Sequence, residues 1–290
     1  MSAYAAPPTP PTPPATPSRA ATLSAISAHL LALGQPESGS DSESNSYPTL
    51  ASMWQTFRPL SAAGTPAGSW YSAAAAYWEN EANCATDING MLGGFAQLSP
   101  PDVRGSASFL ARLREKGALP APLGPVADIG AGIGRVTRDL LLPFGFPRVD
   151  LVEVSPRLSQ ASPDFVGEGA GRCRFFNVGM QDFEPRQEHY SCIWIQWVIG
   201  HLEDVDCVAF LSRCLRGLSQ GGLLCVKDNT CTGTTFIVDT DDSSVTRSQA
   251  YLEKLFDLAG AEIVEKEIQT GFPEEIYPVP MYALRVKSSP

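Results

Sequence analysis

The chain has 290 residues, of which 43% are hydrophobic, and a formal net charge of −10. This apolar content suits a folded core, and no apolar run approaches the ~20 residues of a membrane helix. The acidic balance argues against nucleic acid as a partner and favours a cationic one. Seven cysteines show no Cys-x-x-Cys pair, so no metal site is expected. An odd count without a secretory pattern fits a reducing compartment. The expected location is the cytoplasm, with the nucleus left open because no Lys/Arg-rich cluster argues for import.

Residues 1–68 read as a Pro/Ser-rich, largely disordered extension. Its proline run joins neither helix nor sheet interior, because proline fixes φ and lacks an N–H. A short helix is expected over 23–33, then a linker rich in Ser, Glu and Asp over 34–45. Order is expected from near Ser69, with 69–290 as one domain. Helices are predicted over 70–78 and from Pro100 to about Lys116, where Phe109, Leu110 and Leu113 share a face. Strands are then predicted at 125–129, 149–154, 172–177, 190–195 and 222–228, alternating with helices at 134–142, 156–163, 204–218 and 246–259. Two further strands, 262–269 and 279–287, suggest an antiparallel hairpin at the sheet edge. Such alternation predicts an α/β fold with a mostly parallel sheet and helices on both faces.

The most telling stretch is Val126-Ala127-Asp128-Ile129-Gly130-Ala131-Gly132-Ile133-Gly134-Arg135. It reads as an apolar strand ending in a glycine turn that opens a helix. Alternate glycines tolerate positive φ and let backbone N–H groups approach a ligand. The new helix N-terminus favours an anionic group. A second apolar run ends in Glu153, whose carboxylate can accept both hydroxyl protons of a ribose. Together they predict an adenosine-containing cofactor. A dinucleotide site uses Gly-x-Gly-x-x-Gly, whereas here the spacing is Gly-x-Gly-x-Gly, with Asp128 just before it. A carboxylate there suits the ammonium of S-adenosylmethionine and would repel a pyrophosphate. The methyl donor is therefore favoured over NAD.

Ligands of open α/β sheets bind beyond the carboxyl ends of the strands. That rule gathers Glu153, Gly179-Met180-Gln181-Asp182, Gln196-Trp197 and Lys227-Asp228-Asn229 beside the glycine loop.

The fourth strand runs into Trp194-Ile195-Gln196-Trp197-Val198-Ile199-Gly200-His201-Leu202, and Asp239, Asp241 and Asp242 precede Ser243-Ser244-Val245. With Gly90-Met91-Leu92-Gly93-Gly94 and the glycine loop, these segments closely resemble the protein α-N-methyltransferases. That class I S-adenosyl-L-methionine-dependent family methylates the terminal amine of proteins beginning Xaa-Pro-Lys or Xaa-Pro-Arg after the initiator Met is removed. The likeness spans about residues 70–287. It implies a Rossmann-like class I fold with a seven-stranded sheet and N-terminal lid helices. On the cofactor side it implies Gly130 and Arg135 at the methionine part, Arg135 pairing its carboxylate, with Gly132 in the same loop. Glu153 would hold the ribose, with Val154 and Ser155 beside it. Met180 and Gln181 would flank adenine, Gln196 would lie near the donor, and Trp78 would close over the cofactor. On the substrate side, Trp197 would pack on the second-residue proline. Asn229 would bond the terminal amine or nearby backbone. Asp239 and Asp242 would face the Lys or Arg, or the amine, with Ser244 alongside. Tyr77 and Tyr277 would bond the peptide backbone. His201 and Asp242 are the proton-acceptor candidates, and Asn229 is grouped with them.

The chemistry asks for such a layout. Methyl transfer needs a free lone pair, yet an α-amine titrates near ~7.7–8.0 and is largely protonated at neutral pH. A His or carboxylate within hydrogen-bond reach serves as acceptor. Acidic residues attract a cationic tail, and a flat indole suits a proline ring. Two other readings stay open: a small-molecule N-methyltransferase on the same scaffold, and a non-catalytic relative that regulates an active one. Residue by residue, His201 also suits a packing role at a helix start, and the aspartates at 239–242 suit a solvated turn.

Overall fold

Aliphatic and β-branched runs build the centre of the molecule. In the computed structural model, residues 24–25, 49–57, 69–233 and 236–288 are described. The strands are β1 (Val126–Ile129), β2 (Val149–Glu153), β3 (Cys173–Asn177), β4 (Tyr190–Gln196), β5 (Leu218–Lys227), β6 (Phe236–Asp239), β7 (Ser244–Arg247), β8 (Ala261–Ile268) and β9 (Pro280–Val286). Seven of them form one sheet in the order β3-β2-β1-β4-β5-β9-β8. The first five run parallel, and β9 is antiparallel to both β5 and the edge strand β8. This is the Rossmann-like α/β sheet that the sequence predicts, with the late hairpin at the edge.

Helices cover both faces, which is why the central strands read as continuous apolar runs. All seven residues of β4 are buried. Ile193 and Ile195 point to one face, Cys192 and Trp194 to the other. The helices are α1 (Leu50–Phe57), α2 (Ser69–Glu79), α3 (Ile88–Met91), α4 (Ser99–Glu115), α5 (a π-turn at Thr137–Leu141 running into Leu142–Phe144), α6 (Pro156–Val166), α7 (Asp204–Gly217) and α8 (Gln249–Leu258). Residues of α1, α7 and α8 pack on the Ile193 face, and Phe109, Leu110 and Leu113 of α4 pack on the Trp194 face with α5. The widened turn in α5 has a local cause. Leu142 N–H bonds Thr137 O, five residues back, and the following Pro143 has no N–H to give Asp139. No helix among the described residues is long and apolar enough to cross a membrane.

The structure departs from the sequence reading in three places. Order does not begin at Ser69, because α1 belongs to the core: Leu50, Met53 and Trp54 are buried at helical spacing. The Trp54 ring meets Trp70 edge-on at 4.9 Å, and its Nε1 donates to Asp204 at 3.4 Å. The expected helix over 23–33 falls largely outside the described residues, as does most of the extension. Next, residues 236–247 form a separate antiparallel hairpin, β6–β7. Helix α8 therefore starts at Gln249, behind the capping hydroxyl of Ser248, which accepts from Tyr251 N–H at 3.3 Å. Lastly, β5 starts at Leu218, before the predicted 222, and passes Gly221 in left-handed geometry.

If α1 is part of the core, emptying its largest side chain is costly. Trp54→Ala is expected to lower the unfolding free energy by ~3–5 kcal/mol, measured by urea denaturation of the full chain.

Candidate active site

Strand order reverses between β1 and β4, and a cavity opens there. It holds about 990 Å³ of empty space. Its floor is Gly130, Ala131 and Gly132 after β1, Glu153 and Val154 at the end of β2, residues 178–181 after β3 and 196–198 at the end of β4. Its roof is Tyr71, Ala74, Ala75 and Trp78 of α2, one helical face, together with Met91 of α3. The roof is fastened to the start of α6. Arg157 donates to the carbonyls of Trp78, Glu79 and Cys84 at 2.8–2.9 Å, and Glu79 accepts from Ser155 Oγ at 2.5 Å.

The glycines are required here. Gly130 and Gly132 have φ of 65° and 54°. A Cβ on Gly132 would lie 2.5 Å from the Met91 sulfur, and one on Gly130 would lie 2.5 Å from Val198. Glu153 accepts from Gly132 N–H and Ser155 N–H, each at 2.8 Å. Burial nevertheless lifts its pKa above the usual carboxylate range. The loop carrying Met180 and Gln181 is held from α7, where Arg213 donates to Gln181 O at 2.8 Å.

A second cavity, with about 1140 Å³ of empty space, adjoins the first. Trp78, Met91, Trp197, Val198 and His201 line both. Its other walls include Phe95, Asp228, Asn229, Asp242, Ser244, Glu275 and Tyr277. Trp197 adopts a left-handed φ of 53°, an unusual conformation for a bulky residue. Its Nε1 donates to Asn229 Oδ1 at 3.1 Å. Asp228 secures this turn, accepting from Val198 and Ile199 N–H at 3.2 Å and from Asn229 N–H at 2.8 Å. Burial pushes the Asp228 carboxyl up to about 6, although these bonds oppose it.

The partners of His201 fix its tautomer. Ser243 O, 2.9 Å from Nδ1, can only accept, so Nδ1 carries the proton. Trp78 Nε1, 3.2 Å from Nε2, can only donate, so Nε2 of the neutral ring presents its lone pair. Nearby, Asp242 Oδ1 is buried and has no hydrogen-bond partner among the described residues. Burial raises the Asp242 pKa, with His201 and Ser244 opposing.

Most of the predicted residues converge on the two cavities, but Asp182 and Lys227 line neither, and nor do four residues expected to touch a ligand. Asp239 is exposed, because alternation along β6 buries Phe236 and Val238 and turns Asp239 outward. Tyr77 sits one position before Trp78 on α2 and off its cavity-facing stripe. It lies close enough to the acidic turn that Asp242 and Asp239, after burial, raise the pKa of its hydroxyl. Ser155 caps α6, accepting from Leu158 N–H at 3.2 Å. Asp128, expected to meet an ammonium, is buried against Thr137 Oγ1 at 2.6 Å. Conversely, the sequence reading missed Met91 as roof and Asp228 as the clamp of the Trp197 turn. Asp228 lay within a segment predicted to converge, but nothing in its spacing marked it as the acceptor of backbone groups 29 and 30 residues away.

The first cavity fits S-adenosylmethionine. Its glycine floor admits a ligand where any Cβ would intrude, Glu153 would accept from ribose hydroxyls, and Arg135 would meet a carboxylate. The family of AdoMet-dependent proline di-methyltransferases matches residues 67–285. The chain belongs to that family. It is an S-adenosylmethionine-dependent methyltransferase. It is 40% identical over 254 residues to Alpha N-terminal protein methyltransferase 1 of Dictyostelium discoideum, covering 86% of this chain and 92% of that one. It is 44% identical over 218 residues to N-terminal Xaa-Pro-Lys N-methyltransferase 1 of Danio rerio, covering 75% and 96%. Among solved structures, a SAM-dependent methyltransferase from Leishmania major superposes with a TM-score of 0.74 at 30% identity, over 87% of this chain and 97% of that one.

Two measurements check the methyltransferase's site geometry. Long-range nitrogen–proton correlation spectra of the neutral imidazole are expected to show His201 as the Nδ1–H tautomer. The raised pKa of Asp228 means that its contribution to stability is full below the unfolded value of ~3.9 and is lost as pH rises through about 6. Asp228→Asn cannot titrate, so its unfolding free energy is expected to fall less than the parent's across that window in urea titrations.

Proposed function

We propose that this methyltransferase acts on the α-amine of proteins beginning Xaa-Pro-Lys or Xaa-Pro-Arg, after the initiator Met is removed. The observation that carries the reading is the buried, unpartnered Oδ1 of Asp242 in a cavity that shares a wall with the cofactor cavity. A buried carboxylate oxygen without a partner is costly, and an arriving ammonium would supply one. The names of the Danio rerio and Dictyostelium relatives support the same substrate class.

Bound S-adenosylmethionine supplies an electrophilic methyl group on a sulfonium. The chain's own residues must then deliver an uncharged nitrogen. Asp242 takes the proton of the arriving amine, and its raised pKa, set by burial, makes it a better acceptor than a solvated carboxylate. His201 offers its Nε2 lone pair once the Trp78 indole releases it. Trp197, fixed by Asn229, gives a flat face for a proline ring, and Asp228, Asp242 and Glu275 give the lining the sign that a Lys or Arg side chain needs. Ser244 and Tyr277 line the same cavity and would bond the peptide backbone, with Tyr77 just outside. A small neutral substrate would leave Asp242 Oδ1 unpaired.

The direct test mixes protein, donor and a Ser-Pro-Lys-Arg peptide beside its Ser-Ala-Lys-Arg counterpart. Mass shifts of whole methyl groups on the first, and far fewer on the second, are expected. No shift on either with donor binding intact would contradict the reading. Asp242→Asn is expected to lower kcat by ~10²–10⁴ while leaving S-adenosylhomocysteine affinity unchanged in calorimetry.

A further inference from the structure

Arg135 and Gln196 both line the cofactor cavity, yet a residue from a third element orients them. Asp102, in the first turn of α4, is 1% exposed. Its Oδ2 accepts from Arg135 Nη1 at 2.7 Å, and both of its oxygens accept from Gln196 Nε2 at 2.9 Å. Lys227, buried on β5, donates to its Oδ1 as well. The same ammonium reaches Ser106 Oγ at 2.9 Å and Gln269 Oε1 at 2.7 Å. Gln269 Nε2 then donates to Pro101 O at 3.1 Å, which closes the network on the start of α4. Gly105 makes room for this arrangement, since a Cβ there would collide with the Gln269 amide. A helix interior otherwise disfavours glycine.

The bonds leave little freedom. Gln196 Oε1 accepts from Trp194 Nε1 at 2.9 Å, so its amide is fixed with the nitrogen toward Asp102. Arg135 makes all its side-chain hydrogen bonds to described residues through Nη1, to Asp102 and to Ser99 Oγ at 3.3 Å. The Nε–Nη2 edge of this cavity-lining residue is left over, and such an edge matches a carboxylate in bidentate geometry. Two cations share the one Asp102 carboxylate, so the cluster carries a positive charge in excess. Burial pushes the Asp102 pKa up, but Lys227 and Arg135 outweigh it and hold the group below the usual range.

We propose that Asp102 is a positioning residue for the methionine end of the cofactor: by gripping Nη1 it presents the free edge of Arg135 to the carboxylate and sets Gln196 beside it. Lys227 keeps the grip charged inside the protein. The proposal rests on the reading of Arg135 as the carboxylate's partner, and it adds a residue that need not touch the cofactor.

The test is calorimetric binding of two ligands to the full chain: S-adenosylhomocysteine, which keeps the amino-acid end, and 5′-methylthioadenosine, which lacks it. In Asp102→Asn, an amide nitrogen faces donors that need an acceptor. S-adenosylhomocysteine is expected to bind about 10- to 100-fold more weakly, the range for one charge-assisted hydrogen bond, with methylthioadenosine unchanged. The double variant D102N/K227M removes the cation left unpaired in the core, and it is expected to discriminate in the same way. Equal loss of both ligands in both variants, no loss, or tighter S-adenosylhomocysteine binding overturns the proposal. Arg135→Ala separates the two readings. If it fails to discriminate between the ligands, the role of Arg135 falls and the proposal with it. If it discriminates and D102N does not, only the role of Asp102 falls.

Discussion

Between β1 and β4 the chain reverses its order across the sheet, so the loops leaving those strands diverge and a crevice must form. The glycine loop leaves β1, and the Trp197 turn leaves β4. Both approach the same space, and each needs backbone geometry that ordinary residues avoid. Glycine satisfies the first without cost to its side chain. The second is occupied by tryptophan, at a strain of ~1–3 kcal/mol, and is held by Asp228 through two backbone N–H groups. Strain retained at the Trp197 turn marks the place where the cofactor and substrate cavities touch.

Four aspartates near this crevice are driven apart by their surroundings. Asp102, beside two cations, stays ionised and organises donors. Asp128 is spent on Thr137, and Asp228 on backbone N–H groups, and burial pushes both up to about 6. Asp242 alone keeps an oxygen with no partner among the described residues. The same side chain thus serves as anchor, clamp or proton acceptor according to what surrounds it. A roof from α2 and α3, fastened by Arg157, places Trp78 over both cavities and sets the tautomer of His201.

The parallel sheet was legible because buried strands must be apolar and helices must cover them, and the glycine loop was legible because only glycine permits that floor. Residues at strand ends, from Glu153 to Asn229, were placed by one topological rule. The misses share a different origin. α1 announced itself by Leu50, Met53 and Trp54 alone, inside a stretch read as a largely disordered extension. β6 and β7 are four residues each, too short for alternation to outweigh the turn-forming aspartates between them. Asp102 looked like an ordinary acid in a first helical turn, and its partners lie 33, 94 and 125 residues away in sequence. Local pattern fixes elements, whereas long-range polar partners appear only once the chain is folded.

The central claim is that two cavities meet at one wall, where the substrate nitrogen would face the donor. A crystal structure with S-adenosylhomocysteine and a Ser-Pro-Lys-Arg peptide tests it most directly. The account predicts the peptide's terminal nitrogen within hydrogen-bond reach of Asp242 Oδ1, with the proline ring on Trp197 and the cofactor sulfur across the common wall. A peptide seated elsewhere, or a nitrogen with that wall closed between it and the sulfur, would contradict it.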